Sequence, residues 1–244
     1  MRELLYVVLL GSLSGAAACG GDASPDSAMP EAPSTATPVI TESTTVARGD
    51  ATEGTRILFI GTSLTAGLGL DPDSAYPAVI GRLAEREGID VAVTAAGLSG
   101  ETSAGALRRV DWLLRDKVDL VVIETGANDG LRGLDPDTTA ANLEKIIGRV
   151  RALHPETEVF LAQMEAPPNL GDRYTRAFRD VYVNVAREQG VKLIPFFLEG
   201  VAGEAAYNQA DGIHPNAEGA RRAAQNMWRT IAPVLRTPGT GRSR

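Results

Sequence analysis

Arg56-Ile57-Leu58-Phe59-Ile60-Gly61-Thr62-Ser63-Leu64-Thr65-Ala66-Gly67 (residues 56–67) is the stretch from which the fold is read. Its first five residues form an apolar run closed by Gly61, the mark of a strand buried on both faces. A small polar turn follows at once. Downstream the same grammar repeats. Residues 75–87 read as a helix stopped by Gly88, and 89–95 as a second strand. Residues 102–116 place Leu107, Val110, Leu113 and Leu114 at helical spacing, and 119–124 form a third strand. Residues 138–153 are a helix ending before His154-Pro155, and 158–164 a fourth strand. Residues 173–189 are a helix stopped by Gly190, 191–194 a fifth strand, and 216–235 the closing helix. Near-continuous apolar strands alternating with helices predict an α/β domain over 54–236: a parallel sheet covered by helices on both faces. Sites in such sheets form in the connections beyond the carboxyl ends of the strands.

Upstream the chain changes character. Residues 1–19 open with Arg2, run apolar from Leu4 to Leu10, and end Ala16-Ala17-Ala18-Cys19. The run is too short to span a bilayer, and its shape is that of an export signal. Cys19 behind three alanines resembles the lipidation box of bacterial lipoproteins; the alternative is a plain secretory signal cut near Ala18. Residues 20–53 lack aromatics and are rich in Ala, Ser, Thr and Pro. Such a composition cannot bury enough apolar surface to offset its ordering entropy, and it is read as a flexible linker. Residues 237–244 are read as a disordered tail.

Bulk properties narrow the function classes. A net charge of −7 argues against nucleic acid as a partner, because phosphate binding requires a basic face. One cysteine allows no internal disulfide. With two histidines and no CxxC or HExxH, a Cys/His zinc site is not expected, whereas an all-carboxylate site stays open.

Four short blocks carry candidate chemistry. Ser63 follows the first strand between Gly61 and Gly67; taken alone it reads as a helix N-cap. Ser99-Gly100-Glu101-Thr102 follows the second strand and Gly126-Ala127-Asn128-Asp129-Gly130 the third; each alone is an ordinary turn, with Asp129 a structural partner in the latter. Asp211-Gly212-Ile213-His214-Pro215 precedes the last helix, where Asp-x-x-His also reads as a cap with a surface imidazole. A catalytic serine requires a base in reach and a partner that sets the base's tautomer, which His214 and Asp211 can supply. An oxyanion requires preset donors, and the amides of Ser63 and Gly100 with the Asn128 side chain suit it. The other histidine, His154, precedes a strand and is given a structural or solvent role; Trp112 and Trp228 are read as core or surface packing residues.

Taken together and in this order, the blocks resemble those of the SGNH (GDSL-type) hydrolases. GANDGLRG (126–133), RYTRAF (173–178), LIPFFLEGVA (193–202) and DGIHPN (211–216) are similar to the bacterial thioesterase I, lysophospholipase and arylesterase group, over about residues 55–235. The resemblance implies a flavodoxin-like three-layer α/β/α sandwich with a five-stranded parallel sheet in the order 2-1-3-4-5. It also implies Ser63 as nucleophile, Asp211 and His214 completing a triad, Gly100 and Asn128 completing the oxyanion hole, and no cofactor. Two positions depart from the family pattern. Thr62 stands where Asp is usual, so that a carboxylate support of the nucleophile loop is expected to be lost; Ala95 stands where Asn is common.

The implied activity is hydrolysis of short to medium acyl esters: aryl esters, lysophospholipids and, behind these, thioesters. The apolar segment after strand four, with Ala166, Pro167 and Leu170, is expected to border the acyl pocket. The alternatives are a carbohydrate O-acetyl esterase and a surface binding module with an inactive site. Expected partners are a small ester or lipid substrate, and a membrane only through a lipid on Cys19. The protein is expected to be a monomer, exported to the periplasm or cell envelope.

Overall fold

The computed structural model describes residues 54–237. The export segment 1–19 with Cys19, the linker 20–53 and the tail from 238 lie outside the described residues. Five strands form one parallel sheet in the order β2-β1-β3-β4-β5: β1 Thr55–Gly61, β2 Val91–Gly97, β3 Leu120–Glu124, β4 Glu158–Ala162 and β5 Lys192–Ile194. The register runs Phe59 beside Ala95 on one side and beside Val122 on the other. Ile57 to Ile60, Leu120 to Ile123 and Val159 to Ala162 are buried, as the apolar runs require.

The long helices are α2 Tyr76–Arg86, α3 Ser103–Leu113, α5 Pro136–Leu153, α6 Asp172–Gln189 and α7 Ala217–Leu235. α2 packs on α7, while α5 lies between α3 and α6. Right-handed crossovers give the same division. The β1-to-β2 crossover moves one way along the sheet, and every later crossover moves the other way. α2 therefore covers one face and α3, α5 and α6 the opposite face. The result is the expected three-layer sandwich, with a topological switch at β1.

The structure departs from the sequence expectation in instructive ways. β2 is an edge strand, and Ala92, Thr94 and Ala95 are exposed rather than part of a continuous apolar run. Two one-turn helices, α1 Ser63–Ala66 and α4 Ala127–Leu131, occupy connections read as loops. They carry too few residues for a periodic signal. His154 caps α5, and its Nε2 lies 2.9 Å from the Leu114 carbonyl, a structural contact remote from the carboxyl ends of the strands. Trp228 is buried and donates its indole N–H to Glu87, whereas Trp112 is exposed. Thr237, assigned to the tail, still bonds to the last turn of α7.

The middle of the sheet should dominate stability. Ile123→Ala should cost about 2–5 kcal/mol in urea unfolding, the range for emptying a fully buried aliphatic site. Thr94→Ala on the exposed edge should stay within about 0.5 kcal/mol.

Candidate active site

Each block that follows a strand is turned by a local device. After β1, Thr62 caps α1: its hydroxyl accepts from the Leu64 amide, and Gly67 closes the turn in the left-handed region at φ 65°. Ser63 is thereby lifted to the first helical position, at the carboxyl end of β1. Gly97 lets β2 pass this turn closely, since a Cβ there would collide with the Ala66 backbone.

Beneath the turn lies a residue to which the sequence reading gave no role. Glu124, the last residue of β3, is fully buried. Its carboxylate accepts from the Thr62 amide (3.0 Å), the Thr62 hydroxyl (3.0 Å) and the Thr65 hydroxyl (2.7 Å). The Thr65 proton is committed to Glu124, so in the 2.6 Å contact between Tyr76 Oη and Thr65 Oγ1 it is Tyr76 that donates. Burial pushes the Glu124 carboxyl up to about 7, against the pull of these hydrogen bonds. Burial and the Glu124 charge raise Tyr76 as well. The expected loss of carboxylate support at Thr62 is therefore corrected. The support comes from β3, and the threonine is the group it holds. Glu124 was hidden because it ends an apolar run, where a carboxylate reads as the first solvated residue.

His214 meets Ser63 across the fold. Its Nε2 lies 2.9 Å from Ser63 Oγ, and its Nδ1 lies 2.6 Å from Asp211 Oδ2. The other carboxylate oxygen, Oδ1, accepts from the amides of Ile213 (2.9 Å) and His214 (3.0 Å). These bonds from the His214 backbone and ring, with that from Ile213, lower Asp211 to about 2, so it is ionised throughout the neutral range. An ionised Asp211 accepts the hydrogen bond of the Nδ1–H group, which keeps the proton on Nδ1 and leaves Nε2 as the acceptor for the serine hydroxyl. The base loop is tied to the nucleophile loop by Gln209, whose Nε2 donates to the Leu68 and Pro215 carbonyls at 2.7 and 3.0 Å. This tie also carried no sequence signal.

Gly100 and Asn128 sit on the wall of the same cleft. Gly100 adopts φ 76°, and its carbonyl accepts from Arg132 at 2.9 Å. Neither its amide nor that of Ser63 has an acceptor among the described residues. One hydrogen of the Asn128 amide goes to the Glu101 carbonyl at 3.0 Å, which orients the side chain and leaves the second hydrogen free. Asp129 does more than close its own turn. It accepts from the Ser103 amide (2.8 Å) and hydroxyl (2.5 Å), locking the β3 connection to the start of α3. Arg109 joins the remaining pieces: it pairs with Glu101 and donates to the Ala96 and Gly61 carbonyls at 2.8 and 3.2 Å.

The cleft in front of Ser63 has a volume of about 670 Å³ and is largely apolar, with Leu131, Met164, Phe196 and Leu198 on its walls. Ala166 and Pro167 line it as expected. Leu170 does not: it sits on the short 3-10 turn Pro168–Leu170 and is exposed outside the wall. No group of three or more His, Cys, Asp or Glu side chains is arranged to hold a metal among the described residues.

Residues 59–222 match the GDSL-like Lipase/Acylhydrolase family. The chain is 43% identical over 180 residues to Esterase TesA of Pseudomonas aeruginosa, covering 73% of this chain and 89% of that one. It is 38% identical over 164 residues to an arylesterase of Vibrio mimicus, covering 67% and 81%. The crystal structure of TesA superposes with a TM-score of 0.70 over 73% of this chain and 98% of its own. The psychrotrophic esterase EstA of Pseudoalteromonas sp., solved with monoethylphosphonate, gives a TM-score of 0.70 at 32% identity, over 75% and 99%. With the strand order, the four blocks and these likenesses in agreement, the chain belongs to the GDSL-like lipase/acylhydrolase (SGNH hydrolase) family.

Proposed function

We propose that this protein hydrolyses carboxylic esters of short to medium acyl chains through an acyl-enzyme on Ser63. The observation that carries the proposal is the 2.9 Å contact between Ser63 Oγ and His214 Nε2, backed by Asp211, at the mouth of an apolar cleft. Relatives named esterase, arylesterase and thioesterase 1/protease 1/lysophospholipase L1 support the same chemistry.

His214 Nε2 accepts the Ser63 hydroxyl proton as Oγ bonds to the ester carbonyl carbon, and the carbonyl π pair moves onto oxygen. That oxyanion is met by the amides of Ser63 and Gly100 and the free Asn128 hydrogen. Asp211 holds the imidazolium through Nδ1. Collapse of the intermediate breaks the bond to the alcohol, which leaves with the proton returned by His214. Water then repeats the sequence on the acyl-enzyme: Nε2 takes its proton, its oxygen bonds to the acyl carbon, and Ser63 leaves reprotonated with release of the acid. The apolar walls suit an acyl chain, so that aryl esters and lysophospholipids are favoured substrates, with thioesters behind them. The proposal includes export on the segment 1–19, with Cys19 as a lipid attachment point and 20–53 as a tether, no cofactor, and action as a monomer.

Glu124 adds a pH signature. Its folded-state value of about 7 lies above its ordinary 4.5, so the folded protein binds this proton more tightly than the unfolded chain. Its contribution to stability is greatest below pH 4.5 and is lost as pH rises towards 7.

Three outcomes test these statements. Ser63→Ala should abolish turnover of p-nitrophenyl esters and labelling by a fluorophosphonate; in the parent, a chain-length series with an acetyl-only profile would favour a carbohydrate O-acetyl esterase instead. Asn128→Ala should lower kcat by about 10²–10³, the effect of one oxyanion donor, with KM little changed. In chemical unfolding, the stability difference between the parent and Glu124→Gln should shift against the parent between pH 4.5 and 7, by at most about 1.4 kcal/mol per pH unit. A pH-independent difference would contradict the burial of an ionising group.

A further inference from the structure

The large apolar side chains left exposed are not scattered. Among the described residues they are Leu68, Leu98, Leu131, Leu134, Leu170 and Ile213, together with Trp112, Leu153 and Val183. The first six all lie on connections that leave the carboxyl ends of strands. Leu68 follows β1, Leu98 follows β2, Leu131 and Leu134 follow β3, Leu170 follows β4 and Ile213 follows β5. Every one of the five connections thus raises at least one aliphatic side chain into solvent at the edge where the cleft opens. Leu68, Leu131 and Ile213 also form part of the cleft wall, so the exposed set is continuous with the acyl pocket. Single exposed leucines are ordinary on a protein surface, but one on each connection around a single opening is not a random distribution.

Charge narrows what such a rim would meet. The same connections carry the exposed acids Asp71, Asp73, Asp135, Glu199, Glu204 and Asp211 against the exposed base Arg132. The chain as a whole has a net charge of −7. An anionic surface would be repelled. A zwitterionic surface with its ammonium groups outermost would not, and the acids would face those cations while the aliphatic side chains enter below them.

We propose that this rim docks the enzyme, cleft first, onto the surface of aggregated zwitterionic amphiphiles, so that an ester chain passes from the aggregate into the cleft without crossing water. The inference rests on the acyl-ester reading and deepens it: the substrate is one presented in an aggregate, and the contact is separate from any lipid on Cys19. No described helix is long and apolar enough to cross a membrane.

The test uses the full chain with Cys19→Ser, which removes the thiol for lipid attachment. Binding is read by co-flotation with phosphatidylcholine vesicles in a Ser63→Ala background, where no turnover occurs. The double variant Leu98→Ser/Leu134→Ser, at two rim positions outside the cleft wall, should lower the bound fraction about tenfold, the scale for losing two partly buried leucines. Trp112→Ser, which removes a still more exposed apolar side chain, on α3 away from the rim, should leave binding unchanged. With Ser63 restored, the double variant should keep parental turnover of monomeric p-nitrophenyl butyrate and lose turnover of micellar lysophosphatidylcholine by a similar factor. Equal flotation of parent and double variant, equal losses from Trp112→Ser, or parallel losses on monomer and micelle would each overturn the docking surface. An inactive parent whose vesicle binding still depends on Leu98 and Leu134 would overturn the esterase reading and leave the surface standing.

Discussion

All five strands run in one direction, so all five connections that follow them emerge at one edge of the sheet. This constraint gathers residues separated by as many as 151 positions, as in the Ser63–His214 contact. The order of the strands sharpens it. The sheet is wound outward in both directions from β1, so the connections leaving β1 and β3 diverge and open a crevice between them. Ser63 stands on one side of that crevice and Asn128 on the other. The base arrives from beyond β5, on a loop that Gln209 ties back to the nucleophile turn.

Divergent connections have few neighbours of their own to hold them, and here buried polar groups do so. Glu124 fastens the nucleophile turn to β3, Arg109 with Glu101 fastens the β2 connection to the ends of β1 and β2, and Asp129 fastens the β3 connection to α3. In each case one charged side chain accepts or donates several hydrogen bonds in fixed directions, which apolar contacts cannot do. The cost is concentrated at Glu124. It has three donors but no cation within its hydrogen-bonding shell, and burial lifts its carboxyl to about 7. The serine turn is thus held rigidly at some expense to stability near neutral pH, a trade common at functional sites.

The apolar residues divide in the same way between stability and use. Those in the strands and on the inner faces of the helices form the core. On the carboxyl-end connections some, such as Met164, Phe197 and Val201, still belong to the core, while Leu68, Leu98, Leu131, Leu134, Leu170 and Ile213 stand exposed around the opening and are available to a ligand. At Asp211 the logic differs from that at Glu124. It is exposed, yet held far below the ordinary carboxylate range by two amides and the imidazole of its own turn. It orients His214 without the penalty of burying a charge.

What was legible in advance was local or periodic. The apolar runs at 57–60 and 120–123, the glycines closing helices at Gly88 and Gly190, and the alternation of the two element types determined an α/β parallel sheet with its chemistry beyond the strand ends. The four blocks, as a set, marked Ser63, Gly100, Asn128, Asp211 and His214 as candidate site residues. Tertiary structure alone decided that β2 is a half-exposed edge, that Leu170 stands outside the cleft, that Asp129 reaches α3, and that Glu124 lies beneath the serine turn. The reason is physical. A side chain's preference for helix or strand is set by its neighbours a few residues away. Its burial and hydrogen-bond partners are set by which distant segments the winding of the sheet lays beside it, and a carboxylate at the end of an apolar run has the same sequence signature whether it meets water or three buried donors.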